Sequence, residues 1–476
     1  MNLRNTSSEC SKRPRKPNMN REAGSAARKK ATVRWYLVWF LFAPVLASAA
    51  VVKDSWAIFI KKSPYAEISI IDAAPETGPL VALTYSASNT DPDSKRFFRI
   101  LKLGQGKIER EIDGSLAGKL QVIIARKGGG YYLAGAGSAG KEREEILVVR
   151  ADEDGMTVWE KRIEFQRFKD SYHPQRMAAA AADDGGVLVL FPNWVKNQEY
   201  NSLRAVRLDE KGDPLWDKIY KLREPRVPKW EQKSAYPVKA VADGNGTFLI
   251  VGNRETGRPW VLKLDQEGNQ VWINNFTEYS YGAIQDLALT REGDCVLIGK
   301  MSKLFEDNDK DGISDAYDIW MAVLDPDGKV RTECRDFRLG AGRGGFAKAV
   351  AATADGGFIL TGTVYPDSMR LENPKYFLMK TNGKLELEWL KETMLDGQVT
   401  ATDVIQTADR GFIITGMLGS PSWMDGAHAM WIFKTDAKGE MKDPEFYLVQ
   451  LLESYHIILT PIQTTFISIM MMIFGD

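Results

Sequence analysis

Short apolar runs, alternating with polar positions in period two and stopped by Gly or Asp-Gly turns, pattern this chain from about residue 64 onward. Thr400 to Gln406 alternates, Asp409-Arg410-Gly411 interrupts, and Phe412 to Thr415 is an apolar run. After a variable segment come Met430 to Lys434, the turn Asp436-Ala437-Lys438-Gly439, and a last expected strand. This periodicity, with its β-branched and aromatic content, predicts four short antiparallel strands rather than helices. Gly in the turns supplies the positive φ that tight hairpins need.

The unit repeats. Its fullest copy is Asp355-Gly356-Gly357-Phe358-Ile359-Leu360-Thr361-Gly362, and the end of the apolar run recurs at Thr84, Gly135, Phe191, Gly252, Gly299, Gly362 and Gly416. Repetition at this period predicts an array of one supersecondary unit. Seven copies over residues 64–445 predict an all-β fold, a seven-bladed β-propeller of four-stranded antiparallel blades, with a stacked β-solenoid as the alternative. Asp54-Ser55-Trp56 and Ala57 to Ile60 read as a lone outer strand ahead of the first unit. Residues 50–63 are therefore expected to pair with the seventh blade and close the ring, which removes open edges.

Tryptophans recur in register, at positions expected in the outer strands. Trp159, Trp216 and Trp272 follow the turns at Asp152–Gly155, Asp209–Gly212 and Asp265–Gly268 at one offset, and Trp260, Trp320 and Trp431 precede the turn Asp by five residues. Fixed register across repeats predicts packing between blades rather than a cofactor box.

Charge changes the picture only after the N-terminus is considered. Residues 1–34 are polar and basic, Trp35 to Leu46 is free of charge, and Ala47-Ser48-Ala49 has small-x-small character. These are the parts of a signal peptide over residues 1–49, with Met1 or Met19 as start. An uncleaved anchor over residues 35–52 is the alternative, at the lower limit of a spanning length. Without its ten basic and two acidic residues, the balanced 63 and 63 become 53 basic against 61 acidic, a net charge of −8. That leaves no basic field for nucleic acid. The tail, residues 446–476, is uncharged from Ile457 to Phe474 and reads as a membrane contact or as β segments beside the propeller. Cys295 and Cys334 are placed on the second and fourth strands of one blade, which are not neighbours, and no Cys-x-x-Cys spacing exists.

One segment carries metal chemistry, an insertion within residues 300–319. Asp307-Asn308-Asp309-Lys310-Asp311-Gly312-Ile313-Ser314-Asp315-Ala316-Tyr317-Asp318 places carboxylates at positions 1, 3, 5, 9 and 12 around a turn at Gly312. Calcium takes six to eight hard oxygens in flexible geometry, so Asp307, Asp309, Asp311, Asp315 and Asp318, with the Ile313 carbonyl, are the expected ligands. The segment resembles the calcium loops of EF-hands, and more closely those of thrombospondin type 3 repeats and related bacterial surface proteins. Its apolar residue sits at position 7 rather than 8, and no exit helix follows. The repeats themselves resemble exported bacterial and archaeal propellers with Asp-Gly-Gly-apolar-Gly and Lys-x-Asp-x-x-Gly-x3-Trp motifs. That resemblance implies fold and export.

Length varies mainly between the second and third strands of each unit, at Tyr85–Arg96, Ala136–Glu144, Pro192–Leu203, Thr363–Lys375 and Met417–Ala429. In a propeller these connections share one face, and variable loops on a rigid scaffold carry function. Trp194, Trp230 and Trp423 fall in connections outside the repeat register and are candidate contacts for a protein or glycan partner. His173, His428 and His456 show no spacing for a zinc site or triad. The Asp-x-x-Gly-x3-Trp motif is also similar to the tryptophan-docking repeats of quinoprotein dehydrogenases, which have eight blades and adjacent cysteines. The function expected is an exported, non-catalytic, calcium-binding scaffold, with a quinoprotein-like or carbohydrate-active propeller enzyme as the alternative.

Overall fold

The computed structural model describes residues 50–52, 55–60, 66–72, 79–86, 96–104, 107–116, 119–138, 143–166, 176–193, 202–222, 235–276, 281–302, 319–337, 344–365, 375–392, 399–418 and 429–441. Every element among them is a strand. β1 (Ala50–Val52) and β2 (Ser55–Ile60) form an N-terminal hairpin. Blade 1 is β3 (Ala66–Asp72), β4 (Leu80–Ser86), β5 (Arg96–Leu103) and β6 (Ile108–Leu116). Blade 2 is β7 (Lys119–Ala125), β8 (Tyr131–Ser138), β9 (Arg143–Ala151) and β10 (Thr157–Gln166). Blade 3 is β11 (Ala178–Ala181), β12 (Val187–Asn193), β13 (Ser202–Leu208) and β14 (Pro214–Tyr220). Blade 4 is β15 (Ala235–Ala242), β16 (Phe248–Arg254), β17 (Pro259–Leu264) and β18 (Gln270–Asn274). Blade 5 is β19 (Tyr281–Leu289), β20 (Cys295–Ser302), β21 (Ile319–Leu324) and β22 (Val330–Phe337). Blade 6 is β23 (Gly344–Ala352), β24 (Phe358–Tyr365), β25 (Lys375–Thr381) and β26 (Leu387–Glu392). Blade 7 has three strands of its own, β27 (Val399–Gln406), β28 (Phe412–Leu418) and β29 (Ala429–Thr435).

Each blade is an antiparallel meander, and the first strands touch in sequence around the ring, β27 meeting β3. The fold is a seven-bladed propeller. β2 supplies the fourth strand of blade 7, with Ile58 opposite Ile432, and β1 adds a fifth. Trp56 and Ile58 pack with Val81, Leu83 and Leu101 of blade 1 and Ile432 of blade 7. The first and last blades are thus locked together by chain that precedes both.

Cores form between adjacent blades, as Leu188 and Leu190 of blade 3 do with Phe248 and Ile250 of blade 4. The Gly that ends five of the seven apolar runs has a definite cause. β19, β23 and β27 each carry a bulge beside it. At Gly362 the Phe346 carbonyl oxygen occupies the place a Cβ would take, so a side chain there would displace the innermost strand.

The two ends of the ring differ. First-to-second and third-to-fourth turns lie at one end; second-to-third and blade-to-blade connections lie at the other. At the turn end the Asp of Asp-x-x-Gly caps its own hairpin. The Asp209 carboxylate accepts from the N–H groups of Lys211 (2.8 Å) and Asp213 (2.9 Å), and Asp325 does the same with Asp327 and Lys329. This is the Asx turn that favours Asp at such sites. In blades 3, 6 and 7 the Lys/Arg two residues before this turn reaches the Asp of the other turn in its blade. Lys380 pairs with Asp355 (3.0 Å), Lys434 with Asp409 (2.9 Å) and Arg207 with Asp184. The two motifs of the repeat are therefore halves of one ionic clip.

The tryptophans on fourth strands join blades. Trp159, Trp216 and Trp272 donate their indole N–H to the carbonyls of Glu210 (2.9 Å), Gln266 (2.8 Å) and Pro326 (2.9 Å) in the next blade's turn. Their rings lie over Gly212, Gly268 and Gly328, and Trp389 lies likewise over Gly439. Trp260, Trp320 and Trp431 sit on third strands rather than outermost ones and are fully buried. Cys295 is a free thiol on β20, separated by β21 from the strand that holds Cys334.

Candidate functional site

Every connection that carries a predicted site residue leaves from the loop end. Asp307, Asp309, Asp311, Ile313, Asp315 and Asp318 fall between β20 and β21. Trp194 lies between β12 and β13, Trp230 between β14 and β15, and Trp423 between β28 and β29. All nine lie outside the described residues, as do residues 1–49 and the tail, 446–476. The structure gives their anchors.

The anchors of the acidic segment are rigid. Gly299 and Trp320 form the last pair of the β20–β21 ladder. The Trp320 ring stands edge-on to Phe276, with centroids 5.7 Å apart, and its N–H donates to the Glu333 carboxylate at 2.5 Å. Ile319 and Met321, on either side, are fully buried. A segment held this way leaves the blade from fixed points. Around Trp194, Asn193 and Ser202 close the ladder through their side chains (3.2 Å). The pattern of long second-to-third connections breaks in blade 4, where Arg254 to Arg258 forms a tight turn with Gly257 N–H donating to the Arg254 carbonyl at 2.9 Å.

A charged pair lies on the innermost strands. Lys239 of β15 meets Asp286 of β19 at 2.6 Å, and the second Asp286 oxygen accepts from the Val350 N–H of β23 at 2.9 Å. Burial alone would lower the Lys239 ammonium; the Asp286 and Asp403 carboxylates outweigh it and hold it above the ordinary lysine range. This Lys stays charged at neutral pH and clamps blades rather than moving protons. Burial, with Asp286 nearby, pushes the Cys295 thiol up to about 12, so it is not a nucleophile at neutral pH. Among the described residues no group of three or more His, Cys, Asp or Glu is arranged to hold a metal. No sequence signal marks Lys239 and Asp286 as partners, because they sit in different repeats.

No family model matches the chain, and no curated protein matches it. Solved structures similar to it include a protein of unknown function from Dyadobacter fermentans, 11% identical over 66% of this chain and 95% of that one, with a TM-score of 0.38. A neuraminidase-like protein from an A/bat/Guatemala strain is 10% identical over 84% and 94%, with a TM-score of 0.43. The α-L-arabinofuranosidase Arb93A from Fusarium graminearum is 10% identical over 68% and 95%, with a TM-score of 0.39. Likeness at this level carries nothing about activity or ligands.

Proposed function

We propose that this chain is an exported, non-catalytic binding or scaffold module whose loop end is the interaction surface, with one loop there ordered by calcium. The observation that carries the reading is the asymmetry of the ring. One end is closed by capped, ion-paired hairpins, and the other gathers the long connections, including 194–201, 223–234, 303–318 and 419–428. A rigid scaffold with variable loops at one end is a common way to present recognition residues. The calcium ligands are Asp307, Asp309, Asp311, Asp315, Asp318 and the Ile313 carbonyl, on the register of carboxylates around Gly312. Millimolar calcium outside the cell keeps such a loop folded, so the ion acts structurally.

Export rests on the leader pattern of residues 1–49, and the place of β1 bears on whether that leader is cleaved. Ala50–Val52 belong to β1. A membrane-spanning helix would therefore be confined to residues 35–49, well below the roughly 20 apolar residues a span needs. Cleavage after Ala49 would place the mature N-terminus at the first residue of the closing hairpin.

Trp194, Trp230 and Trp423 are the contacts proposed for a protein or glycan partner. The test is binding of the purified mature chain to a glycan array and to the surface of the producing cell. Replacing all three by Ala is expected to abolish binding with an unchanged unfolding midpoint. Unfolding of that variant would identify them as core residues and defeat the assignment. Calcium-dependent turnover of a sugar or alcohol would favour the enzyme alternative.

A further inference from the structure

The chain carries Asn followed by Gly twice, at Asn245-Gly246 and Asn382-Gly383, and both pairs lie in hairpin turns at the turn end. This dipeptide has a reaction of its own that needs no enzyme. The Gly backbone nitrogen attacks the Asn side-chain carbonyl carbon, because Gly has no Cβ to stand in the way. Its rate in a folded chain depends on how firmly the fold holds the side-chain amide and the attacking nitrogen. The two turns differ.

Asn382 is held. Its Oδ1 accepts from the N–H groups of Lys384 (2.9 Å) and Glu386 (3.0 Å), and its Nδ2 donates to the Glu386 carboxylate at 2.7 Å. It caps its own turn, as Asp209 and Asp325 cap theirs. Attack on its side chain must wait until those bonds open.

In the turn of Asn245 the cap is Asp243. The Asp243 carboxylate accepts from the N–H groups of Asn245 (2.9 Å) and Thr247 (3.1 Å) and from the Thr247 hydroxyl, and it pairs with Lys263 at 3.5 Å. Asn245 is exposed, and its side chain has no hydrogen bond among the described residues. The attacking nitrogen is loose as well. In the other turns that close this way the fourth residue donates back to the first, as Gly268 does to Asp265 and Leu385 to Asn382 (3.0 Å each). Asp243 closes its turn on the Thr247 carbonyl at 3.0 Å, yet among the described residues Gly246 has no bond back to Asp243. Gly244 and Gly246, on either side of Asn245, both take left-handed backbone, with φ +82° and +79°. A left-handed second residue sets this turn apart from the rest.

We propose that Asn245 is a self-modification site, which in the folded chain loses its side-chain amide to Gly246 and ages to aspartyl and isoaspartyl forms, the latter opening the ion-paired turn of blade 4. The Gly246 nitrogen gives its proton to solvent base and bonds to Asn245 Cγ. The Cγ–Nδ2 bond breaks, ammonia leaves, and a five-membered imide remains. Water then opens the imide. Addition at Cγ leaves an ordinary aspartyl residue; addition at the backbone carbonyl leaves an isoaspartyl residue, whose chain runs through Cβ and Cγ. Both forms add a negative charge two residues from Asp243. The isoaspartyl form also lengthens the turn by one methylene, which breaks the register of the N–H groups that Asp243 holds. A Cβ on Gly246 would lie 3.1 Å from Gln266 Oε1, and the Gln266 carbonyl takes the Trp216 N–H at 2.8 Å, so the change reaches the joint between blades 3 and 4.

The test incubates the full chain at neutral pH and follows both dipeptides in one sample by peptide mapping with mass spectrometry. Asn245 is expected to convert at least about tenfold faster than Asn382, the factor set by opening one or two of the hydrogen bonds that hold Asn382. In concentrated urea the two should convert at similar rates, and Asn245→Gln should stop conversion at that position. In the isoaspartyl form, separated by chromatography, the Asp243 amide should lose its hydrogen-exchange protection. Equal rates in the folded chain, or no conversion of Asn245 there while the urea-unfolded chain converts, would overturn the proposal. So would a preference for Asn245 that persists in urea, or an isoaspartyl form that keeps the Asp243 amide protected.

Discussion

Removing the Trp272 ring tests the joint between blades directly. The ring spans from β18 onto the turn of blade 5, over Gly328, and donates to the Pro326 carbonyl at 2.9 Å. A buried Trp covers roughly 150–250 Å². Trp272 is half-buried, so on the order of 120 Å² is lost on truncation, which at about 25 cal/mol per Å² is about 3 kcal/mol. The hydrogen bond is solvent-exposed and adds less than about 1 kcal/mol. Trp272→Ala is therefore expected to cost about 3 kcal/mol in equilibrium urea unfolding. The mirror change is Gly328→Ala. Gly328 has φ +81°, and a Cβ there would lie 2.7 Å from the Trp272 ring. Backbone strain of about 1–2 kcal/mol adds to overpacking of about 1–3 kcal/mol. Only the overpacking depends on the ring. The double variant should thus cost at least about 1 kcal/mol less than the sum of the singles. Strict additivity would mean that ring and turn are not packed together and would refute this account of the repeat.

Two further outcomes follow from the same contacts. Ile58→Glu places a charge at a site 1% exposed in the closing strand; it should cost about 3–5 kcal/mol and strip hydrogen-exchange protection from β29 and β3 before blades 3 to 5. Hydrogen bonds from Thr353, Lys380 and the Gly357 N–H outweigh burial and hold Asp355 at about 2. Because that value is depressed, the clip's contribution is complete above the ordinary carboxyl range and is lost as pH falls from about 4 towards 2. Asp355 is more than half exposed, so screening limits this to no more than about 1 kcal/mol. Lys380→Met should raise the Asp355 midpoint, read by carboxyl NMR titration, and flatten the acid limb of the stability curve.

The fold was legible because it is repeated. A single run such as Phe358-Ile359-Leu360 is ambiguous, but seven copies between capped turns leave few architectures. The offset of Trp159, Trp216 and Trp272 from their turns announced that they pack as a set. It did not say that each ring crosses to the next blade's Gly, because that contact joins residues about fifty apart. The third-strand set was placed too far out: Trp260 and Trp431 lie opposite Gly252 and Gly416 and are enclosed there. The Lys/Arg–Asp clip is divided between two motifs that lie on different strands of the blade. What could not be read was difference between repeats at equivalent places. Tyr132 reaches the Gly185 carbonyl, and Gln406 the Ala354 N–H, only because the ring sets each beside a neighbouring blade. Lys239 and Asp286 meet only because β15 and β19 are adjacent first strands. The calcium ligands proposed for the acidic segment rest, by contrast, on a local register of carboxylates within one loop.

Calcium titration of the purified mature chain by calorimetry tests the central claim most directly. One site is expected, with a dissociation constant of about 10⁻⁴ to 10⁻³ M as for other extracellular modules. Asp309→Ala should abolish the heat while leaving the urea midpoint of the calcium-free protein unchanged. Absence of binding up to several millimolar, or an Asp309→Ala variant that binds like the parent, would contradict the assignment of a calcium-ordered loop to the functional end of the ring.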